Sequence, residues 1–365
     1  MSSEGSLTFH HTGRGVAMIG LCFKILLLSL VTLTIYRFWG RTEVRRYLWG
    51  HTVIDGEPLD YLGKGSELLI GFLIALFVYL IPLGVAFNAI FYFWPPDPKT
   101  GFNPQSLPWL FAAELLLVYL VTVGLYQALR YRFSRTAWRG IRFSLTGSAF
   151  AFGLKFLGLG FLNLVTFGLL TPVVDIALFR AVARNAHFGD KPFGFEGKAR
   201  SLYFPFLLTY VLVILVFAGL FAGFAGLGLF MRNSGMDARS PEQMMALLPY
   251  IYAGAIVFGL LMMVATSFYA ARSLRVKGSG LRFEGLSFKL EAHTFSYLWL
   301  LISNLVLVTL TIGIALPIAE LRRFQYIFRR LSTEGTVELD KIGQSTGPRP
   351  RFGEGLAEAF GLGNV

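Results

Sequence analysis

Leu30-Val31-Thr32-Leu33-Thr34-Ile35, followed by Glu43-Val44-Arg45-Arg46-Tyr47, is the stretch on which the reading of this chain turns. It returns near the other end as Leu307-Val308-Thr309-Leu310-Thr311-Ile312, then Glu320-Leu321-Arg322-Arg323-Phe324. Eleven residues separate Thr32 from Glu43, and eleven separate Thr309 from Glu320. An eroded copy lies between them: Leu164-Val165-Thr166-Phe167-Gly168, then Asp175-Ile176-Ala177-Leu178-Phe179, two residues shorter. Each copy joins the end of an apolar run to a segment carrying an acid. The pattern predicts three pseudo-repeats of one membrane-embedded unit.

Composition supports the membrane setting. The chain has 365 residues, 55% hydrophobic and only 15% charged, whereas soluble domains carry about 25% charged residues. Mean hydropathy is +0.59. Several apolar runs exceed the ~18 residues that cross a bilayer. The fold class expected is an all-α polytopic membrane protein: a helical bundle with three pseudo-repeats, in which re-entrant or broken helices remain an open alternative. The net charge of +12 sits in short loops between apolar runs. That is the signature of cationic loops held on the cytoplasmic side against anionic headgroups. No RNA-binding signature accompanies the charge, which argues against nucleic acid and leaves membrane lipids as the partner expected. The sequence is silent on oligomeric state. Cys22 is the one cysteine, so neither an intramolecular disulfide nor a cysteine-based metal site can form. Lys24 interrupts the first apolar run and no small-residue cleavage site follows, so that run is expected to be retained.

Seven apolar segments are read, at about 16–37, 66–94, 107–128, 149–172, 202–230, 248–270 and 294–317. Pro82 predicts a kink in the second. Gly219, Gly223, Gly226 and Gly228 predict close helix contact, and hence burial, for the fifth. The chain divides into 1–128 (repeat 1 with two long transmembrane helices), 129–270 (repeat 2 with two more), 271–334 (repeat 3) and 335–365, a polar tail expected to be disordered. Loop charges conflict with seven crossings. Loops 37–65, 130–148, 173–200, 271–292 and 318–332 are net positive, while 95–106 and 232–247 are neutral. The repeat segments would then have cytoplasmic residues on both flanks, which one crossing cannot provide. Either those segments enter and leave on the same side, or the charge rule fails for some loops. The break candidates are Thr32, Thr34, Thr166, Gly168, Pro172, Thr309, Thr311, Gly313 and Pro317. A broken helix at membrane depth is tolerated where it is buried in protein or lines water.

Substrate- or lipid-binding candidates are Glu43, Arg45, Arg46, Asp175, Glu320, Arg322 and Arg323, with Lys24, Lys155 and Glu114 inside apolar runs. The sharp reading of the first group is a charged lining for a substrate path. The bland reading is an interfacial helix whose arginines snorkel to lipid phosphates. Copy two has Ala177 and Leu178 where the others have arginines, which argues against a strictly threefold site. Ionisable groups within the bilayer are costly and so mark function by default, unless they reach an interface. Asn163 and Asn304 fit hydrogen bonds between helices. No HExxH, His/Cys cluster, GxSxG, phosphate loop or dinucleotide fingerprint is present, so no catalytic residue, metal ligand or cofactor is assigned.

The repeated Val-Thr-Leu-Thr block, Tyr36-Arg37-Phe38-Trp39-Gly40-Arg41 and Arg45-Arg46-Tyr47-Leu48-Trp49 resemble the YjgN family of bacterial inner-membrane proteins, from about Phe9 to Leu331. The resemblance implies a multi-pass protein of the inner membrane, built around a domain of unknown function, with no catalytic residues to carry over. Thr34 and Phe38 depart from the Gly and Pro of the family pattern, which appear here as Gly313 and Pro317. The leading expectation is transport or permeation of a small solute or lipid, from repetition combined with broken helices and intramembrane charge. The alternative is a non-catalytic membrane scaffold or a partner- or lipid-binding protein.

Overall fold

The computed structural model describes residues 7–234 and 240–347. It is mostly helical, but eleven short strands among the described residues correct the all-α expectation. In chain order the elements begin with β1 (Phe9–His11), α1 (Gly15–Val31), α2 (Arg37–Gly50), β2 (Thr52–Ile54) and β3 (Glu57–Tyr61). The helices α3 (Gly65–Phe93) and α4 (Pro104–Ser134) follow, then β4 (Thr136–Trp138) and β5 (Ile141–Leu145). Next come α5 (Ala149–Val165), α6 (Thr171–Asn185), β6 (Ala186–Phe188), β7 (Lys191–Pro192) and β8 (Gly194–Phe195). The chain continues through α7 (Tyr203–Asn233), α8 (Pro241–Ser279), β9 (Leu281–Phe283) and β10 (Leu286–Leu290). It ends with α9 (Thr294–Leu310), α10 (Leu316–Phe328) and β11 (Leu331–Glu334).

The strands pair in sequence order, β1 through β7 in one sheet and β8 through β11 in a second, with antiparallel neighbours throughout. Phe193 alone separates β7 from β8. At the outer ends, the Thr333 hydroxyl on β11 donates to the Leu7 carbonyl just before β1 (3.2 Å), and Phe9 meets Phe288. Both sheets share one apolar core of Leu7, Ile54, Leu59, Trp138, Phe188, Phe283 and Leu286. Three of the turns are X-Gly pairs with positive φ at both residues: Asp55-Gly56, Arg139-Gly140 and Glu284-Gly285. Those are the conformations that match a two-residue turn to strand twist. Strands this short carry no readable period-two pattern, which is why the sequence did not disclose them.

A directional consequence follows from the pairing. Tight turns join strands at one end of the circuit, so every helical pair leaves from the other end. The pairs are α1/α2, α3/α4, α5/α6, α7/α8 and α9/α10. Four junctions share a further clamp. Arg46 donates to Gly63 O, Arg130 to Gly147 O, Arg180 to Gly197 O and Arg275 to Ala292 O, each across seventeen residues. These charge-assisted bonds tie the C-terminal part of one helix to the residues just ahead of the next.

Among the described residues four helices are long and apolar enough to cross a bilayer: Gly65–Phe93, Pro104–Ser134, Ala199–Asn233 and Leu247–Ser279. The other three apolar helices, α1, α5 and α9, have seventeen residues each. At 1.5 Å per residue they reach about 25 Å, short of a ~30 Å hydrocarbon core. Each ends in a threonine whose hydroxyl donates back four residues: Thr32 to Leu28 O, Thr166 to Leu162 O and Thr311 to Leu307 O. Two residues later Thr34, Gly168 and Gly313 take φ of 70°, 85° and 84°. Their amides donate to the carbonyl five residues back, closing the helix end. Glycine enters that region freely; Thr34 does so against its β-branch. Pro172 and Pro317 then open α6 and α10, where a missing amide costs nothing. Thr309 lies inside α9 rather than at its break, so Thr311 is the residue that matches Thr32.

The structure bears on two helix expectations. Ahead of Pro82 the helix accommodates the missing amide through a π-helical turn at Leu76–Leu80. A Cβ placed on Gly219, Gly223, Gly226 or Gly228 would meet nothing within 4 Å, so this stripe is not packed against another helix. Residues 335–347, expected to begin a polar tail, lie on the strand circuit, with Val337 and Ile342 in its core. Residues 348–365 of that expected tail lie outside the described residues.

Candidate functional site

Helix α2 carries Arg37, Arg41 and Arg45 four residues apart, hence on one face. That face looks across at α10, because the first and last helical pairs meet. Met18, Cys22, Val44, Leu48 and Leu321 form one buried cluster between them, and Gln325 donates to Gly13 O at 2.9 Å. Gly40 lets α1 and α2 approach: a Cβ there would sit 2.8 Å from Ile25. The space left between α1, α2 and α10 is a cavity of about 560 Å³.

Among the described residues its charged lining is Arg37, Arg41, Arg45, Arg132 from α4, Arg323 and Glu320, with Ser29 of α1 beside them. Glu320 is half-buried, and the charges acting on it come from Arg45, Arg41, Arg323 and Arg132. Arg45 is buried and donates to Tyr61 Oη at 3.1 Å. The Arg37 guanidinium lies 4.9 Å from the Phe38 ring centre and 5.3 Å from that of Phe72, fixing its direction. Towards the tips of the helical pairs the wall becomes apolar, with Leu26, Ile312, Ile314 and Leu316.

Of the residues singled out in the sequence, the fold brings Arg45, Glu320 and Arg323 together here. Glu43 is held by Lys24 and by the Tyr36 hydroxyl, each at 2.8 Å, on another face of the first pair. Arg46 points to Gly63 O, and Arg322 donates to Ser303 Oγ at 2.8 Å. Asp175 accepts from Tyr269 Oη (3.0 Å) and Ser273 Oγ (2.6 Å) and pairs with Lys277 (2.5 Å). Lys155 on α5 and Glu114 on α4 are exposed and do not line the cavity. Asn304 is buried and donates to Ala319 O between α9 and α10, as expected of an interhelical asparagine. Arg37, Arg41 and Arg132 were missed; the four-residue spacing of the first two with Arg45 was the available signal.

The same geometry revises the acid motif. Glu320 and Asp175 stand nine residues after the capping threonines Thr311 and Thr166, and the residue nine after Thr32 is Arg41. The matched eleven-residue spacing of Glu43 and Glu320 therefore does not mark equivalent places in the fold.

Over residues 6–359 the sequence matches the family described as bacterial protein of unknown function (DUF898). The chain belongs to that family. It is 22% identical, over 94% of its length and 92% of the relative's, to inner membrane protein YjgN of Salmonella typhimurium. A shorter match, 27% identical over 39% of this chain and 31% of the relative, is to inner membrane protein YjgN of Escherichia coli. No solved structure matches. With four helices able to cross a bilayer, the chain is a multi-pass protein of the bacterial inner membrane and lives among its lipids.

Proposed function

We propose that this protein moves an anionic solute or lipid through the cavity between its first and last helical pairs. The observation that carries the reading is the lining: among the described residues, five arginines from α2, α4 and α10 converge on one cavity inside a membrane-embedded bundle. Cations at that depth are costly and persist where they serve a bound partner.

The reading includes a topology. All five helical pairs leave one end of the strand circuit, and the net-positive segments lie at that end, while the neutral loop 95–106 lies at the far end of α3/α4 and the helix ends Asn233 and Pro241, within the neutral stretch 232–247, lie at the far end of α7/α8. Placing the strands in the cytoplasm satisfies the charge rule in every loop. The long pairs then cross fully, and α1/α2, α5/α6 and α9/α10 are three copies of a re-entrant unit. Their apolar tips support this: Leu33, Phe167 and Ile312 are 84%, 84% and 92% exposed. In lipid such exposure is favourable, whereas in water it is not.

Binding without translocation is the second reading. The circuit interior is filled by aromatic and aliphatic side chains, so a path cannot run straight through the strands. Reconstitution into vesicles decides between them. Transport predicts protein-dependent movement of an anionic lipid reporter or a small anion across the bilayer, lost in Arg41→Gln/Arg45→Gln. Movement equal to that of empty vesicles for both reporters overturns it.

A further inference from the structure

Five joints close the strand circuit, and four of them are built alike. A tight turn links the strand leaving one helical pair to the strand entering the next, at β2/β3, β4/β5, β6/β7 and β9/β10, and a backbone ladder pairs the two strands. At each of these joints an arginine of the outgoing helix, Arg46, Arg130, Arg180 or Arg275, holds the carbonyl just ahead of the next pair.

The fifth joint, between β11 and β1, departs on all three counts. No turn links its strands: Thr333 and Leu7 are 326 residues apart. Among the described residues no backbone ladder pairs them, and the bridge is the Thr333 hydroxyl donating to the Leu7 carbonyl at 3.2 Å. The clamp keeps its place and loses its charge. Gln325 of α10 donates to Gly13 O, just ahead of α1, where the other four joints use arginine. A neutral bond of this kind has about half the strength of a charge-assisted one. Local opening starts where such ties are fewest.

The cavity sits over this joint. Its lining nearest the strands is Leu48 and Trp49 at the end of α2, with Phe324 and Ile327 near the end of α10. Trp49 and Phe324 meet across the joint with ring centres 5.4 Å apart. Trp49 is tied away from it, its indole N–H donating to Thr136 Oγ1 of β4 at 2.9 Å. Phe324 is held by ring contacts, to Trp49, to Phe328 and to His11 of β1 beyond the floor. Displacing α10 from α1 therefore draws Phe324 off Trp49 and joins the cavity to the strand side.

We infer that the joint between the last and first helical pairs is the inner gate of the cavity, with Trp49 and Phe324 as its closed floor, and that it opens by parting β11 from β1 and releasing Gln325 from Gly13. This rests on the cavity being the transport path. It supplies an exit towards the strands that the filled interior of the circuit denies.

Cys22, the one cysteine, lines the cavity and serves as the reporter. The full chain in inside-out membrane vesicles, which on the topology above present the strands to the reagent, is treated with a charged, membrane-impermeant methanethiosulfonate. Mass spectrometry reads the rate of Cys22 modification. Phe324→Ala should raise that rate at least fivefold, and Phe324→Tyr should keep it within twofold of the parent protein. Gln325→Arg, which gives this joint the clamp of the other four, should lower the rate at least threefold, alone and combined with Phe324→Ala. A loosened fold would raise it instead. A rate not lowered by Gln325→Arg overturns the inference, and so does a Phe324→Ala rate equal to that of the parent. Movement of an anionic reporter in reconstituted vesicles separates the gate from the transport reading. Cys22 rates that respond as expected while no reporter moves refute transport alone. Reporter movement as fast in Gln325→Arg as in the parent refutes the gate alone.

Discussion

Asp175 and Glu320 occupy the same place on two helical pairs, nine residues past a capping threonine, and meet opposite fates. Asp175 is locked by Tyr269, Ser273 and Lys277, all from α8. Glu320 instead opens onto a cavity among arginines. The difference lies in the neighbour. The middle pair packs beside a long transmembrane helix that supplies donors, whereas the last pair packs against the first, whose α2 supplies guanidinium groups. One scaffold position thus serves as a structural tie in one place and lines a cavity in the other.

The largest expected effect tests the locked acid. Asp175→Ala should cost about 3 kcal/mol, because it leaves Lys277 without its half-buried counter-charge. Glu320→Gln should change thermal stability by under ~1 kcal/mol, since relief of the burial cost of its carboxylate offsets the lost attraction of the arginines. Melting of both variants in detergent measures this, and equal losses would erase the contrast between the two sites.

A second measurement probes where the first and last pairs close over the strands. His11 is buried on β1, bonded to Thr52 Oγ1 and 6.1 Å from the Phe324 ring of α10. Burial, assisted by His51 and Arg329, pushes its pKa down from 6.5 to about 4. Because the unfolded chain takes up the proton first, stability is complete above pH 6.5 and falls as the pH drops towards 4. The full loss is about 3 kcal/mol at 1.36 kcal/mol per unit. His11→Gln should flatten that part of the stability profile; an unchanged profile would show that His11 does not report on this closure.

A smaller effect concerns the tips. Thr34 holds a φ of 70° where the other two short pairs use glycine. Thr34→Gly should stabilise by about 1 kcal/mol, as relief of left-handed strain exceeds the added freedom of the unfolded chain. Gly313→Thr should cost at least as much. Melting temperatures decide it, and a destabilised Thr34→Gly would mean that the first tip is built differently.

The topology has its own check, with little energetic consequence. In a Cys22→Ser background, Thr100→Cys should react with an impermeant maleimide from outside the cell and Glu57→Cys should not. Outside labelling at residue 57 would place the strands on the wrong side of the membrane.

Much of this was readable in the residues. Hydropathy located the apolar runs, and the loop charges already disagreed with seven crossings, a conflict that the proposed re-entrant topology removes. The Thr-x-Gly breaks were visible as breaks. Other features misled. The glycines of α7 looked like a packing face and face open space. The paired Thr32–Glu43 and Thr309–Glu320 spacings looked equivalent and are offset by two residues in the fold. Arg41 was passed over as one charge in a mixed loop, because a four-residue spacing acquires meaning only once something stands opposite it.

The sequence by itself determined which segments leave water, where three of the helices stop and which side is basic. Those properties are local: transfer free energy adds residue by residue, and a helix end is set by the few amides and hydroxyls around it. Tertiary structure alone decided that β1 lies beside β11 and that α2 faces α10. Contacts across some 300 residues depend on strands of two to five residues, each too short to be specified alone, closing around a shared aromatic core. The arginine cavity is a product of that closure, since its walls come from the two ends of the chain.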